Sequence, residues 1–226
     1  MTEAIRPSVG RGVLHLFCKP TPLFDGEALV AAVKSAEGNG VQVVTVSILG
    51  HKADVAVMAM HDDLKQLRAL QTGVQHAGLE VVDSYVSLTE ASEYTKGMPE
   101  EHLKARLYPE IPPKAHHMPA WCFYPMSKKR EGGDNWFTLP YEERSDLMRE
   151  HGMSGRKYAG RVVQYVTGST GLDDFEWGVT LFAVHPDDLK EVVYTMRFDR
   201  ASAIYGEFGA FYTGMVVPVE ELVTSI

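Results

Sequence analysis

An α+β fold made of two similar halves follows from three features of the sequence. Strand and helix patterns alternate in the order βαββαβ over residues 12–88. A stretch rich in proline and charge, residues 90–118, then interrupts them. After Met118 the same kinds of segment return.

The elements are read in chain order. Residues 1–10 are polar, carry Pro7 and Gly10, and are expected to form a loose arm. Residues 13–17 read as a strand. Residues 27–37 place Leu29, Val30 and Val33 at helical spacing, and Gly38 and Gly40 end the helix. The β-branched run 41–49 and the run 55–60 make a hairpin around the turn at 50–54. Asp62 or Asp63 caps the next helix, which carries Leu64, Leu67, Leu70 and Val74 on one face, and residues 79–88 form a further strand.

In the second half, Ala120-Trp121-Cys122-Phe123-Tyr124-Pro125 echoes the run from Leu14 to Pro20. Asp188-Leu189-Lys190 echoes Asp63-Leu64-Lys65, and residues 208–217 take the place of 79–88. Short apolar strands look alike by chance, but the matching element order favours duplication. Helices are expected over 141–150 and 186–198, with strands over 160–167 and 176–182. The resulting architecture is two ferredoxin-like α+β halves sharing one core, the dimeric α+β barrel type within a single chain. The divisions are an arm at 1–10, a first half at 11–95, a connector at 96–118 and a second half at 119–226.

Composition narrows the function classes. The chain has 226 residues, 45% hydrophobic and 23% charged, enough for one large core or two small ones. Its net charge of -8 argues against a general nucleic-acid or anionic-membrane surface, so basic residues should act locally. Cys18 and Cys122 each lie in apolar runs and read as reduced core thiols. No stretch approaches the roughly 20 apolar residues of a membrane helix, and no signal-peptide pattern opens the sequence. We therefore expect a cytoplasmic protein. No GxGxxG or Walker pattern supports nucleotide binding, and His116, His117 and Cys122 lack the spacing of a zinc site.

Several residues are chemically suggestive. Helical spacing puts His151 on the face of Leu147 and Met148, and Gly152 reads as the residue that ends the helix, so the imidazole is expected to project inward from the last turn. A buried histidine bonded to a carbonyl would give the same pattern. Tyr124 and Lys128 flank Met126 on one face of a strand; the phenol can form a radical and the ammonium can hold a carboxylate, although a strand ending in a solvated basic turn is the plainer account. Gln164 sits among apolar strand residues and faces either a buried partner or solvent. Arg106, Arg197 and Ser202 are candidates to hold carboxylates, or are ordinary surface and capping residues, and Met126 could pack on a macrocycle or fill a core.

Taken together, Tyr124-Pro125-Met126-Ser127-Lys128, Asn135-Trp136-Phe137, Glu150-His151-Gly152, the turn 168–174 with Glu176-Trp177, and Met196-Arg197-Phe198-Asp199 resemble the coproheme decarboxylases of the chlorite dismutase superfamily, in the form typical of Firmicutes. The resemblance spans residues 12–226 and is weakest in the first half. It implies a homopentameric enzyme whose second half binds iron coproporphyrin III and converts it with hydrogen peroxide to haem b, each of two propionates becoming a vinyl group. The porphyrin iron would be both substrate and cofactor. The same resemblance makes His151 the proximal iron ligand, Tyr124 the redox-active tyrosine, Lys128 the propionate-side lysine and Gln164 the distal residue. It places Met126, Arg197, Ser202 and Arg106 around the propionates, and it allows transient contact with coproporphyrin ferrochelatase. A chlorite dismutase would need a distal arginine where Gln164 stands. A haem carrier or sensor without turnover is the alternative from another class.

Overall fold

The computed structural model describes residues 3–113 and 117–226; His116 lies outside the described residues. The first half is β1 (Gly12–Pro20), α1 (Gly26–Gly38), β2 (Gln42–Leu49), β3 (Val55–His61), α2 (Leu64–His76) and β4 (Leu79–Thr89). Both helices start as their sequence signals require: the Asp25 carboxylate accepts from the Ala28 N–H and that of Asp63 from the Lys65 N–H, so Asp63 rather than Asp62 is the second cap.

The connector contains a 3-10 turn (Glu93–Thr95) and α3 (Glu100–Leu107). This helix was not expected, because its face is weakly amphipathic and it buries none of its side chains. The second half is β5 (Ala120–Lys128), a small hairpin of β6 (Arg130–Glu131) and β7 (Asp134–Asn135), a 3-10 turn (Trp136–Thr138), α4 (Tyr141–Arg156), β8 (Val162–Gly168), β9 (Trp177–Ala183), α5 (Pro186–Met196), α6 (Arg200–Ala203), β10 (Gly206–Phe208), β11 (Tyr212–Val216) and α7 (Val219–Leu222). Among the described residues no helix is long and apolar enough to cross a membrane.

Two expectations need correction. The strand expected over 208–217 is divided between β10 and β11. The two lie end to end along one edge of β5, and the break falls opposite Pro125, where Gly209 donates to the proline carbonyl at 2.9 Å. Pro125 has no N–H to return, so the ladder cannot run through. The other correction concerns Gly152, which does not end its helix. Gly152 lacks a positive φ, and α4 continues to Arg156. Gly155 lies where a Cβ would meet the Met196 Cε at 2.9 Å, so α4 crosses α5 at a glycine.

The strands form one sheet in the order β10-β5-β11-β2-β3-β1-β4-β8-β9, with β9 returning to β5. The sheet therefore closes into a barrel. Each half contributes the same order, with β4-β1-β3-β2 in the first matching β10 and β11-β5-β9-β8 in the second. Both are the antiparallel order of a ferredoxin-like unit, in agreement with the expected α+β class. The halves are joined along β11 and β2 and, over only Leu88–Gly168 and Thr89–Thr167, along β4 and β8.

Strand alternation sorts the core into layers. On β1, Val13 and Phe17 point into the barrel, while Leu14, Leu16 and Cys18 point out under α1 and α2. On β5, Trp121 and Phe123 point in, and Ala120, Cys122 and Tyr124 point out toward α5. This two-sided burial explains why both strands read as almost continuous apolar runs, interrupted in β1 by the buried His15. Both cysteines are free and buried, and burial raises their thiol pKa values, to about 12 for Cys18 and about 11 for Cys122.

Candidate functional site

In the first half the outer face of the sheet is sealed by α1 and α2. In the second half α5 covers β5, β8 and β9, but α4 packs on α5 and α6 and leaves a narrow cleft beneath it. Tyr124, Met126, His151, Gln164, Arg197 and Ser202 all line that cleft, together with Val193, Met196 and Phe208. Residues chosen from five separate parts of the sequence thus converge on one space. It has the mix of apolar walls and few polar groups that is usual in small-molecule sites.

His151 reaches the cleft from the middle of α4, one turn beyond buried Leu147. Its Nδ1 lies 3.0 Å from the Asp199 Oδ2 and 3.2 Å from the Ser202 Oγ. A carboxylate accepts but does not donate, so Nδ1 carries the proton and the lone pair is on Nε2. A histidine anchored in this way is suited to a metal, since the carboxylate fixes the ring and raises the basicity of the free nitrogen. Asp199 is itself held. It caps α6 by accepting from the Ser202 N–H at 2.9 Å. Burial opposes its ionisation, but the bonds from His151 and Ser202 outweigh burial and hold its carboxyl below the ordinary value.

Tyr124 rises from β5 with its ring stacked on Phe211 (centroids 4.5 Å apart) and tilted against Phe208 (5.7 Å). Its hydroxyl makes no hydrogen bond among the described residues, and burial pushes its pKa well above that of a free phenol. It therefore enters any reaction protonated. Arg197, the residue that follows α5, lays its guanidinium over Phe208 at 4.0 Å and brings positive charge to an acidic protein's cleft. Gln164 contributes a neutral amide from the outward face of β8, while its neighbours Val163 and Tyr165 turn into the barrel.

Two expected site residues are placed elsewhere. Arg106 is exposed on α3 and does not line the cleft. Lys128 lies behind the wall rather than in it: Nζ donates to the Ala201 carbonyl at 2.7 Å and sits over the Trp136 ring at 4.5 Å. Burial lowers its pKa to about 8, against the pull of Asp199 and Glu176.

The structure also gives a place in the site to residues for which sequence reasoning assigned no role. Asp199 is the main one; an aspartate three residues before Ser202 is an N-cap signature, but nothing local links it to His151. Val193, Met196 and Phe208 were not separable from core residues, because the cleft is an opening in that same core.

Comparisons with known proteins place the chain in a family. The chlorite dismutase family model matches residues 25–217. A coproheme decarboxylase of Staphylococcus carnosus (strain TM300) is 45% identical over 190 residues, covering 79% of this chain and 74% of the relative. A solved structure described as a novel heme-binding protein from Thermus thermophilus superposes with a TM-score of 0.83 at 34% identity over 98% of each chain. A mutant chlorite dismutase from Candidatus Nitrospira defluvii shares the fold, with a TM-score of 0.76 at 19% identity over 96% of each. A barrel of two ferredoxin-like halves, a cleft confined to the second of them and a match along most of the sequence lead to one conclusion: the chain belongs to the chlorite dismutase family.

Proposed function

We propose that the protein removes carboxyl groups oxidatively from two propionates of iron coproporphyrin III, giving haem b, with hydrogen peroxide as oxidant. The observation that carries this reading is the convergence on one cleft of an anchored histidine with a free Nε2, a buried protonated tyrosine and an arginine. The 45% identity to a protein named coproheme decarboxylase supports it.

Bound with its iron on His151, the porphyrin would supply the centre at which peroxide is reduced. Asp199 and Ser202 hold His151 in the ligating tautomer. Met126, Val193, Met196 and Phe208 give the macrocycle apolar surface and exclude water, and Gln164 offers a neutral hydrogen bond on the distal side. Arg197 holds a propionate through its planar fork. Tyr124 gives up an electron and its phenolic proton, and the resulting radical takes a hydrogen atom from the propionate carbon next to the ring. For each propionate, carbon dioxide, one proton and two electrons leave and a vinyl group remains; peroxide takes up two electrons and two protons and becomes water.

Gln164 lacks the charge that would hold an oxychlorine anion, which favours this reading over chlorite turnover. We further read the chain as a cytoplasmic homopentamer divided at residues 96–118, in transient contact with the ferrochelatase that makes its substrate. The test is to add peroxide to the purified coproheme complex and follow mass. Stepwise loss of two carboxyl groups is expected; an unchanged porphyrin would mark a carrier instead. Tyr124→Phe should keep coproheme binding and abolish decarboxylation, and normal turnover in that variant would sink the radical assignment.

A further inference from the structure

Tyr124 differs from His151 in how its ring is held. The imidazole is fixed by a carboxylate, whereas the phenol hydroxyl has no hydrogen-bond partner among the described residues. The ring torsion of a tyrosine is broad, so the plane of this ring is set by what lies against it. Phe211, in the link between β10 and β11, lies close to parallel with it, centroids 4.5 Å and planes 23° apart; Phe208 meets it at 5.7 Å and 57°. Phe208 lines the cleft and Phe211 does not, so Phe211 supports the tyrosine from outside the ligand space.

Phe211 is in turn held from the first half. Lys52, in the turn between β2 and β3, donates from Nζ to the Phe211 carbonyl at 2.6 Å, a charge-assisted bond. The next residue, Tyr212, points the other way, into the barrel. Its ring stacks on Phe17 of β1 with centroids 3.7 Å apart, and its hydroxyl donates to the Asp83 Oδ2 of β4 at 2.5 Å. Strand pairing fixes the same stretch, with Tyr212 opposite Phe123, the residue before Tyr124. Two adjacent residues thus have first-half partners on one side and the Tyr124 ring on the other.

We propose that Phe211 is a positioning residue acting through Tyr124, and that Lys52 of the first half fixes it in place. This rests on the reading of Tyr124 as the group that takes hydrogen from the propionate. Such a transfer needs the phenol oxygen in contact with the propionate carbon, and a displacement of about 1 Å in a geometry of this kind can cost about a hundredfold in rate. A ring that loses its flat support tilts, and spends less time aligned with that carbon. The first half, sealed by its own helices, thereby takes part in the chemistry of the second.

The experiment compares Phe211→Leu, Phe211→Tyr, Lys52→Met and Lys52→Arg with the native chain. Neither residue lines the cleft, so coproheme affinity should stay within about threefold in all four. Phe211→Leu should lower kcat for decarboxylation by about tenfold or more, and Phe211→Tyr, which keeps a flat ring, should restore it. Lys52→Met should lower kcat by about three- to tenfold, and Lys52→Arg, which keeps a donor, should restore it. If Lys52 acts through the stack, adding Lys52→Met to Phe211→Leu lowers kcat no further; effects that multiply overturn that link. A readout independent of turnover comes from the ligand-free protein labelled with 3-fluorotyrosine, in which the Tyr124 signal is the one lost in Tyr124→Phe. The ring current of Phe211 acts on that fluorine, so Lys52→Met should shift the signal and Lys52→Arg should leave it in place. A general loss of stability would not move it. An unmoved signal in Lys52→Met, or native kcat in Phe211→Leu, overturns the proposal. Lys52 is exposed, so its variants decide the matter if Phe211→Leu does not fold. Normal turnover by Tyr124→Phe would instead defeat the underlying reading of the site while the fluorine signal still reports the stack, so the two failures are distinguishable.

Discussion

The two halves of the barrel share one strand order and differ in where they put the helix that follows their first strand. In the first half α1 buries Leu29, Val33 and Ala36 and packs on α2. In the second half the corresponding α4 buries Leu147 alone, and the space beneath it is the cleft. The same topology thus gives a sealed layer on one side and an open cleft, the candidate ligand site, on the other. A site of this kind needs no new fold; it needs one helix held off its sheet by contacts at its edges, with polar groups aimed into the gap.

The sharpest way to break this comparison is to remove the group that α4 carries into the gap. His151→Ala should lower the affinity of the ligand-free protein for coproheme by more than about a hundredfold, beyond what changes to groups around a ligand usually cause. Its ligand-free stability should fall by about 1–3 kcal/mol, because the buried Asp199 carboxylate loses the partner that offsets its burial. Spectral titration and urea unfolding measure the two quantities. A variant that binds normally would show that the cleft holds its ligand through some other group.

The reverse test is made in the sealed half. Leu29 is 0% exposed, and Leu29→Ala should cost about 2–5 kcal/mol of stability through lost transfer and a cavity. Val193 faces the cleft and is part-buried, so Val193→Ala should cost less than about 1 kcal/mol and act mainly on porphyrin affinity. Equal stability losses would mean that the second half is as tightly packed as the first, and the contrast between them would fail.

How far the sequence discloses this arrangement depends on the range of the interactions. Asp25 and Asp63 declare their helices because a cap acts within three residues. The duplicated strand and helix order is legible for the same reason. Barrel closure is not, since β11 meets β2 across most of the chain and β4 meets β8 across the whole connector. His151 is visible as an inward-facing histidine, but its meaning comes from Asp199, 48 residues away. Lys128 shows the limit from the other side. Alternation puts it on the face of Tyr124, yet the register of β5 against β10 carries it past the cleft to Ala201 and Trp136. Gly152 misleads because a glycine near a helix end reads as a stop, whereas Gly155 nearby is required by the crossing with α5.

Two helix-interior glycines offer the finest comparison. Gly73 on α2 faces α1, where a Cβ would lie 2.8 Å from the Ala32 Cβ; Gly155 on α4 faces α5, where it would lie 2.9 Å from the Met196 Cε. Replacing either by alanine gains about 1 kcal/mol of helix propensity. At Gly73 the obstacle is a methyl fixed to the backbone of a helix in a closed layer, so α1 and α2 must separate. Overpacking of about 1–3 kcal/mol then outweighs the propensity, and Gly73→Ala should be destabilising. At Gly155 the obstacle is the free end of a methionine that lines the cleft and has room to turn into it. Gly155→Ala should therefore match or slightly exceed native stability in urea, while coproheme binding weakens because Met196 has moved into the ligand's space. Stability losses of the same size at both positions would show that α4 is seated as firmly as α1, and that the cleft is not the slack in the structure.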